Sequence, residues 1–526
     1  MPSNSISAER ESLFQKLFLS QFGLDSDNSF VFWLTLLIAG VLLGGLYWTQ
    51  GNVPLVLFLI YITTIFLLSF LRIDLSLYVF MASVMFLDQY DIPGFPAFTV
   101  ELGFFSNLKE IDYIPFFDAG MVSPAELHLI FLVLSTMMHL VLQINVVFKP
   151  IPSLIPFLLF LGALLFSVAY GLQRGGDFMI SLWEVRALFY FCIVLLIVPH
   201  IINTRNQVLI LVWIFIAGSF FKALQGVIRF IELGYTTGGH DVLTNHEDAV
   251  FIVTIILLLI GFMVFGYRGG QRYFILLALP IIMLGFYVAQ RRAAYASLIV
   301  SVVLLIVLLP SFRRMIFLKY FIPIVIILLL YGAAFWNSNS TIAGPVQIIK
   351  SGFEKPDLET NARDYYSNLY REYENYNLAQ TVANYPIMGI GFGKRYDQPI
   401  PLVQIRFPLR DYIPHNEIFW VIVKMGSVGF LAFWYFFNMV VTKSTRLFNV
   451  VEDPFFKALL LMITLSVINQ MVVSFFDLQL TYYRNMLYLG CLIALIPAIE
   501  YIDQSEKEER ESSSESSEME GSEDEE

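Results

Sequence analysis

P-H-N-E, Pro414 to Glu417, opens onto I-F-W-V-I-V-K-M-G-S-V-G-F-L-A-F, Ile418 to Phe433. The second stretch is apolar apart from Lys424 and Ser427, and it continues apolar beyond Phe433. About 20 such residues cross a bilayer as helix. Lipid offers no water to backbone N–H and C=O groups, so a spanning segment must satisfy them within itself. This stretch therefore reads as a transmembrane helix with a polar mouth, a place where chemistry can sit.

The rest of the chain agrees. Of 526 residues, 57% are hydrophobic and 14% charged, with a mean hydropathy of +0.69. A soluble chain is about a quarter charged. Apolar runs start near Phe30, Val53, Leu75, Ala125, Ile151, Val185, Gln207, Ala249, Tyr273, Ala293, Met315, Ile418, Phe455 and Tyr482. They predict an all-α polytopic bundle of about 12–14 spanning helices, with a large polar loop, 337–415, before the last three. Residues 1–29 read as a leading polar segment and 30–502 as the membrane domain. The first apolar run lacks a small-residue cleavage site and reads as a spanning helix, not a signal peptide.

The net charge of −11 comes almost wholly from 503–526, which holds twelve acidic residues against Lys507 and Arg510, a net −10. This tail reads as disordered and solvated, with docking to a basic partner as the less favoured alternative. Cys192 and Cys491 lie in apolar runs, which suggests neither a disulfide framework nor a zinc site.

Orientation follows from the basic residues. With the N-terminus inside, inner loops carry Arg72, Lys149, Arg205, Arg268, Arg272, Arg313, Arg314, Lys319, Lys443, Arg446 and Lys457. That satisfies the positive-inside rule and puts the tail in the cytoplasm. Arg174, Arg186, Arg291, Arg292 and Arg484 then fall on the outer side against the rule. An anionic ligand would retain them, and so would pairing with a nearby acid such as Asp177 or Glu184. The second reading suits Arg174 and Arg484. In Q-R-R-A-A-Y, Gln290 to Tyr295, two guanidiniums interrupt an apolar sequence, and their planar forks suit a diphosphate. Arg186 is similar, because Glu184, two residues before it on a helix, points elsewhere.

Three histidines, His128, His139 and His200, sit in or at the ends of apolar helices and read as hydrogen-bonding groups inside the bundle. His240 and His246, with Asp241, Glu247 and Asp248, match no ligand spacing that fixes a metal. His246 starts a helix and can line a cavity. His415 occupies an equivalent position and can act as a base near neutral pH; the competing reading is that Asn416 caps the helix and His415 merely flanks it. In the long loop, Tyr366, Leu369, Tyr370, Tyr373, Tyr376 and Leu378 approximate one helical face, either an interfacial belt or a sugar-stacking wall. Arg363 and Arg371 add positive charge. G-I-G-F-G, Gly389 to Gly393, lacks the βαβ setting of a nucleotide fingerprint and reads as a loop brought close to a substrate or a helix.

Arg363, P-I-M-G-I-G-F-G (386–393), H-N (415–416) and K-M-G-S-V-G-F (424–430) together resemble the O-antigen ligase/polymerase superfamily, most strongly over about 280–440. The resemblance implies a membrane glycosyltransferase that moves a glycan from a polyprenyl diphosphate carrier to a glycan or lipid acceptor. The transfer would take place at the outer face of the cytoplasmic membrane, in cell-envelope polysaccharide or lipopolysaccharide synthesis. It implies no metal, no nucleotide cofactor and no nucleic-acid partner. By motif, the family's histidine corresponds to His415, as catalytic base. Its helix-end arginine corresponds to Arg291 or Arg292, with Arg186 assigned from layout. Arg363, His246 and Asn416 complete the expected substrate-binding set. Ligase and polymerase share this donor chemistry. A transporter or exporter component is the rival class, and it would carry charges near helix midpoints and broken helices in paired halves; here the polar residues cluster at helix ends.

Overall fold

The computed structural model describes residues 27–523 apart from 50, 93, 96, 112–120, 145, 152, 237–242, 339, 355–361 and 404–406. The elements of the membrane domain are helical. In chain order they are α1 (Asp27–Trp48), α2 (Val53–Leu71), α3 (Ile73–Phe86), α4 (Pro124–Leu142), α5 (Leu154–Gln173), α6 (Phe178–Ile201), α7 (Arg205–Glu232), α8 (His246–Phe265), α9 (Gly270–Val288), α10 (Arg292–Leu308), α11 (Ser311–Phe335), α12 (Gly344–Phe353), α13 (Ala362–Asn384), α14 (Glu417–Val450), α15 (Pro454–Phe476) and α16 (Tyr483–Glu523). Among the described residues, ten helices are long and apolar enough to cross a membrane, and four shorter apolar ones accompany them. These fourteen coincide one for one with the runs read from the sequence. The protein is a multi-pass helical membrane protein.

The chain forms two compact units. The first holds the residues up to Asp91, Phe95–Lys149 and Ile197–Ile214. In it α2 packs against α1, α3 and α4. Its buried polar groups pair with one another: His128 Nδ1 meets the Tyr61 hydroxyl at 2.9 Å and Nε2 the Ser76 hydroxyl at 3.0 Å. His139 Nδ1 bonds Ser135, and His200 Nδ1 accepts from the Lys149 N–H at 3.0 Å. All three are the internal hydrogen-bonding histidines that apolar surroundings require.

The second unit holds Ile92–Gly94, Pro150–Leu196 and the chain from Phe215 on. Its centre is α15, apolar on every side, which packs against α8, α10, α14 and α16. A helix with no polar face has no surface to give to water and belongs in the middle. Proline at its first turn and Asp453, whose carboxylate accepts from the Phe455 and Phe456 N–H groups at 2.8 and 3.0 Å, fix where it begins.

The loop 337–415 contains α12 and α13. The inward face of α13 is largely polar, and three of its tyrosines lie outward. Glu374, Asn377, Leu378 and Thr381 are buried, whereas Tyr366, Tyr373 and Tyr376 are exposed. Asn377 explains this: it exchanges two hydrogen bonds with the Ile400 backbone, at 2.7 and 3.0 Å, and so holds the following loop on that face. The last helix departs from expectation. It continues through Glu523, past residue 503, where composition alone predicts disorder. The ion pairs Lys507–Asp503 at 2.8 Å and Arg510–Glu506 at 3.7 Å, each spaced i,i+4, support the added turns.

Candidate functional site

The mouth of α14 is built by three consecutive residues with separate jobs, His415, Asn416 and Glu417. Asn416 caps the helix, its side-chain oxygen accepting from the Phe419 N–H at 3.1 Å, and its amide reaches Asn375 on α13 at 3.3 Å. Helix capping is therefore real, but it is Asn416 that caps. His415 turns the other way, onto α13. Its backbone N–H donates to Glu374 Oε2 at 3.0 Å, and its ring Nδ1 lies 3.2 Å from both carboxylate oxygens. An ionised carboxylate only accepts, so Nδ1 carries the hydrogen and Nε2 keeps its lone pair. Tyr370, one turn before Glu374, sets its ring edge against the imidazole, centroids 5.5 Å apart. Its buried hydroxyl has no hydrogen-bond partner. Burial and the charge of Glu374 raise that phenol above its ordinary pKa, so it remains a donor.

Glu417 is buried beneath them. Its carboxylate accepts from the backbone N–H groups of Gln479, Leu480 and Thr481 and from the Thr481 hydroxyl, the last at 2.6 Å. These donors lie in the 477–484 connection between α15 and α16, D-L-Q-L-T-Y-Y-R, which joins several parts of the site. Asp477 Oδ2 lies 2.9 Å from His246 Nδ1 and 3.3 Å from Arg291 Nη1. Tyr482 packs on the His246 ring, centroids 5.7 Å apart. Tyr483 lies under the Arg186 guanidinium at 5.8 Å. Arg484 is fully buried against Glu247 and Asp248, at 2.9 and 3.1 Å.

Two further charges reach this cluster. Arg371 acts on Asp477, and His415 acts on His246. Burial pushes the Asp477 carboxyl up, but His246, Arg291 and Arg371 outweigh it and hold the group below the ordinary aspartate range. Beside this carboxylate stand the Arg291 guanidinium and the His246 imidazole. Arg291 Nε is buried and has no hydrogen-bond partner. A buried guanidinium nitrogen without a hydrogen-bond partner is a feature an anionic ligand would satisfy.

The paired arginines separate. Gln290 takes a left-handed backbone (φ 55°) and Arg291 an extended one (φ −104°), whereas Arg292 is the first helical residue of α10. Arg291 therefore turns to Asp477. Arg292 donates to the Ser351 carbonyl at 3.0 Å and to Asn368 at 3.4 Å, tying α12 and α13 to α10. Arg363 begins α13, and its side chain lies outside the described residues, as do His240 and Asp241. His246, Glu247 and Asp248 do not act as a group, since the first faces Asp477 and the other two face Arg484.

The glycine-rich loop packs into a helix. At Gly426 (φ 64°, ψ −173°) α14 breaks its regular backbone. Ser427 and Val428 would otherwise donate to Val423 and Lys424. Instead they donate to the Pro386 and Ile387 carbonyls, at 2.9 and 3.4 Å, and the freed carbonyls accept from Ile390 and Gly391, at 2.9 and 3.0 Å. Loop and helix thus satisfy each other's backbone. Gly391 (φ 81°) also lies against the Gly171 backbone of α5, where a Cβ would overlap it. Gly393 N–H donates to Glu184 at 2.6 Å. Glu184 forms a fully buried 2.6 Å pair with Lys424, so it is not the partner of Arg186. Nor does Arg174 pair with Asp177, which caps the Ile180 N–H; it lies over the Tyr170 and Tyr385 rings.

The sequence reading missed Glu374, Asp477 and the part played by Arg371. Glu374 could have been found one helical turn from Tyr370. Asp477 could have been found as a lone acid ending a long apolar run. No curated protein matches the chain. Residues 273–434, from α9 into α14, match the family model described as O-Antigen ligase, and this matched stretch carries Arg291, Glu374, the glycine loop and His415.

Proposed function

We propose that the protein is a membrane glycosyltransferase of the O-antigen ligase type, moving a glycan from a polyprenyl diphosphate carrier to an acceptor hydroxyl at the outer face of the cytoplasmic membrane. The observation that carries this reading is the His415–Glu374 dyad beside the Asp477–His246–Arg291 cluster. His415 Nε2 takes the proton of the acceptor hydroxyl, and Glu374 stabilises the imidazolium that forms. The acceptor oxygen bonds to the anomeric carbon as the bond from that carbon to the phosphate oxygen breaks. Attack from the face opposite the leaving group inverts the centre, and the diphosphate departs with the bonding pair. Arg291, Arg371 and Arg186 bind its growing negative charge. His246 and Asp477 hold Arg291 in place, Asn416 fixes the α14 mouth against α13, and Arg292 braces the loop. Arg363 is a further candidate phosphate ligand.

The test is direct. Purified protein in lipid nanodiscs, given a polyprenyl diphosphate-linked glycan and acceptor, should release free polyprenyl diphosphate and form one glycosidic bond per release. Absence of both products rejects the reading. Deleting the protein in its host separates the two acceptor classes. Finished chains accumulating on the carrier indicate ligation, and single repeats accumulating there indicate polymerisation. A transporter would leave neither bond changed.

A further inference from the structure

Beside the glycine loop, basic and phenolic side chains alternate over one surface. Arg174, at the end of α5, lies 5.2 Å over the Tyr170 ring and 5.3 Å over the Tyr385 ring, and its Nη1 donates to the Tyr170 hydroxyl at 3.0 Å. Lys394 Nζ donates to the Arg174 carbonyl at 3.1 Å. Arg395 lies 5.6 Å over the Tyr412 ring and donates from Nε to its hydroxyl at 3.1 Å. Arg174 is exposed, and the Arg395 side chain is 68% exposed.

The nearby acids do not cancel this charge. Asp411 is shared between Arg395 at 3.7 Å and Arg410 at 3.4 Å. Asp177, which caps α6, and Asp397, which accepts from Asn384 at 2.9 Å, keep their negative charges, so with Asp411 three carboxylates stand against Arg174, Lys394, Arg395 and Arg410. A positive excess remains on a surface of phenol rings.

That combination has a specific chemistry. A ring face covers the apolar C–H face of a sugar. A guanidinium beside a phenol and bonded to its hydroxyl is held in place, and its remaining N–H groups can donate to carboxylate or phosphate. The ridge is also continuous with the site. Tyr412 precedes His415 by three residues, and its ring lies 5.7 Å from the Lys424 ammonium of α14.

We propose that this ridge is the acceptor-binding surface, and that it takes an acidic glycan, one whose sugars carry carboxylate or phosphate groups, delivering its terminal hydroxyl to His415. The proposal rests on the transferase reading of the site.

The experiment measures binding of two probes to the full-length protein in nanodiscs of neutral lipid: an oligogalacturonate and a malto-oligosaccharide of equal length. The acidic probe should bind and the neutral one should bind at least about tenfold more weakly, as loss of one charge-assisted hydrogen bond would give. Arg174→Gln with Arg395→Gln, size-matched changes at exposed positions, should remove that preference, while Arg174→Lys with Arg395→Lys keeps part of it. Equal binding of both probes, no binding of the acidic one, or undiminished preference in the Gln pair overturns the proposal. So does displacement of the acidic probe by phosphatidylglycerol vesicles, which would assign the ridge to lipid headgroups. If the parent binds the acidic probe yet never turns over a polyprenyl diphosphate donor, the transferase reading falls and the ridge stands.

Discussion

Two ionic clusters in the same unit have opposite constructions. Glu184 and Lys424 are wholly buried, 2.6 Å apart. Their remaining capacity is spent on the Gly393 N–H, the Trp420 indole N–H and the Lys394 carbonyl. In the second cluster, the side chains of His246 and Arg291 are 32% and 17% exposed around Asp477, and Arg291 Nε bonds nothing. His415, beside it, is 26% exposed. Charges taken out of lipid and water must be fully partnered if they are to hold a fold. Charges meant to receive a ligand must keep donors in reserve. The first cluster locks the glycine loop into the α14 kink; the second keeps the exposed and unspent groups on which the proposed transfer relies.

Three substitutions probe this contrast, in falling order of effect. Lys424→Met strands the Glu184 carboxylate and should cost about 3–5 kcal/mol, read as thermal unfolding in detergent. Replacing both partners, Glu184→Met with Lys424→Met, should recover much of that loss. A single variant as stable as the parent would break the contrast from the closed side. Glu374→Gln should leave the fold intact and lower the transfer rate at saturating donor by about tenfold to a hundredfold, the worth of a charge-assisted hydrogen bond, with little change in KM. A change confined to KM would mean that Glu374 shapes binding and does not orient His415. Asp477→Asn is the smallest, at about 1–2 kcal/mol of stability near neutral pH. Because the folded-state pKa of Asp477 lies below the ordinary value, its stabilisation is complete above about pH 4 and is lost as pH falls further. The difference between parent and Asn variant should therefore shrink below about pH 4; a gap unchanged at pH 3 contradicts the ion-pair role.

How much could be read in advance follows from the range of each interaction. Apolar helices announce themselves in consecutive residues, and all fourteen, the ten long enough to span and the four shorter, were legible. So were His415 and Asn416 at a helix mouth, and a glycine loop destined for a close approach; that the approach is to the α14 kink needed the register between 386–391 and 423–428. Arg291 and Arg292 could not be told apart, because the left-handed turn at Gln290 sends adjacent side chains to different partners. Asp477 meets Arg291 across 186 positions and His246 across 231, and no local pattern encodes such a meeting. On α13 the tyrosine stripe was legible, but the inward contacts of Glu374 and Asn377 were not, because their partners His415 and Ile400 lie far along the chain.

The central claim is that the open cluster performs the transfer, with His415 as its base. The measurement that tests it is the rate of polyprenyl diphosphate release by purified His415→Ala, with thermal unfolding and donor binding recorded on the same sample. The account predicts a fall of about 10² to 10⁴ in rate, with unfolding temperature and donor affinity close to the parent's. A rate near the parent's in a folded, donor-binding His415→Ala protein would contradict it.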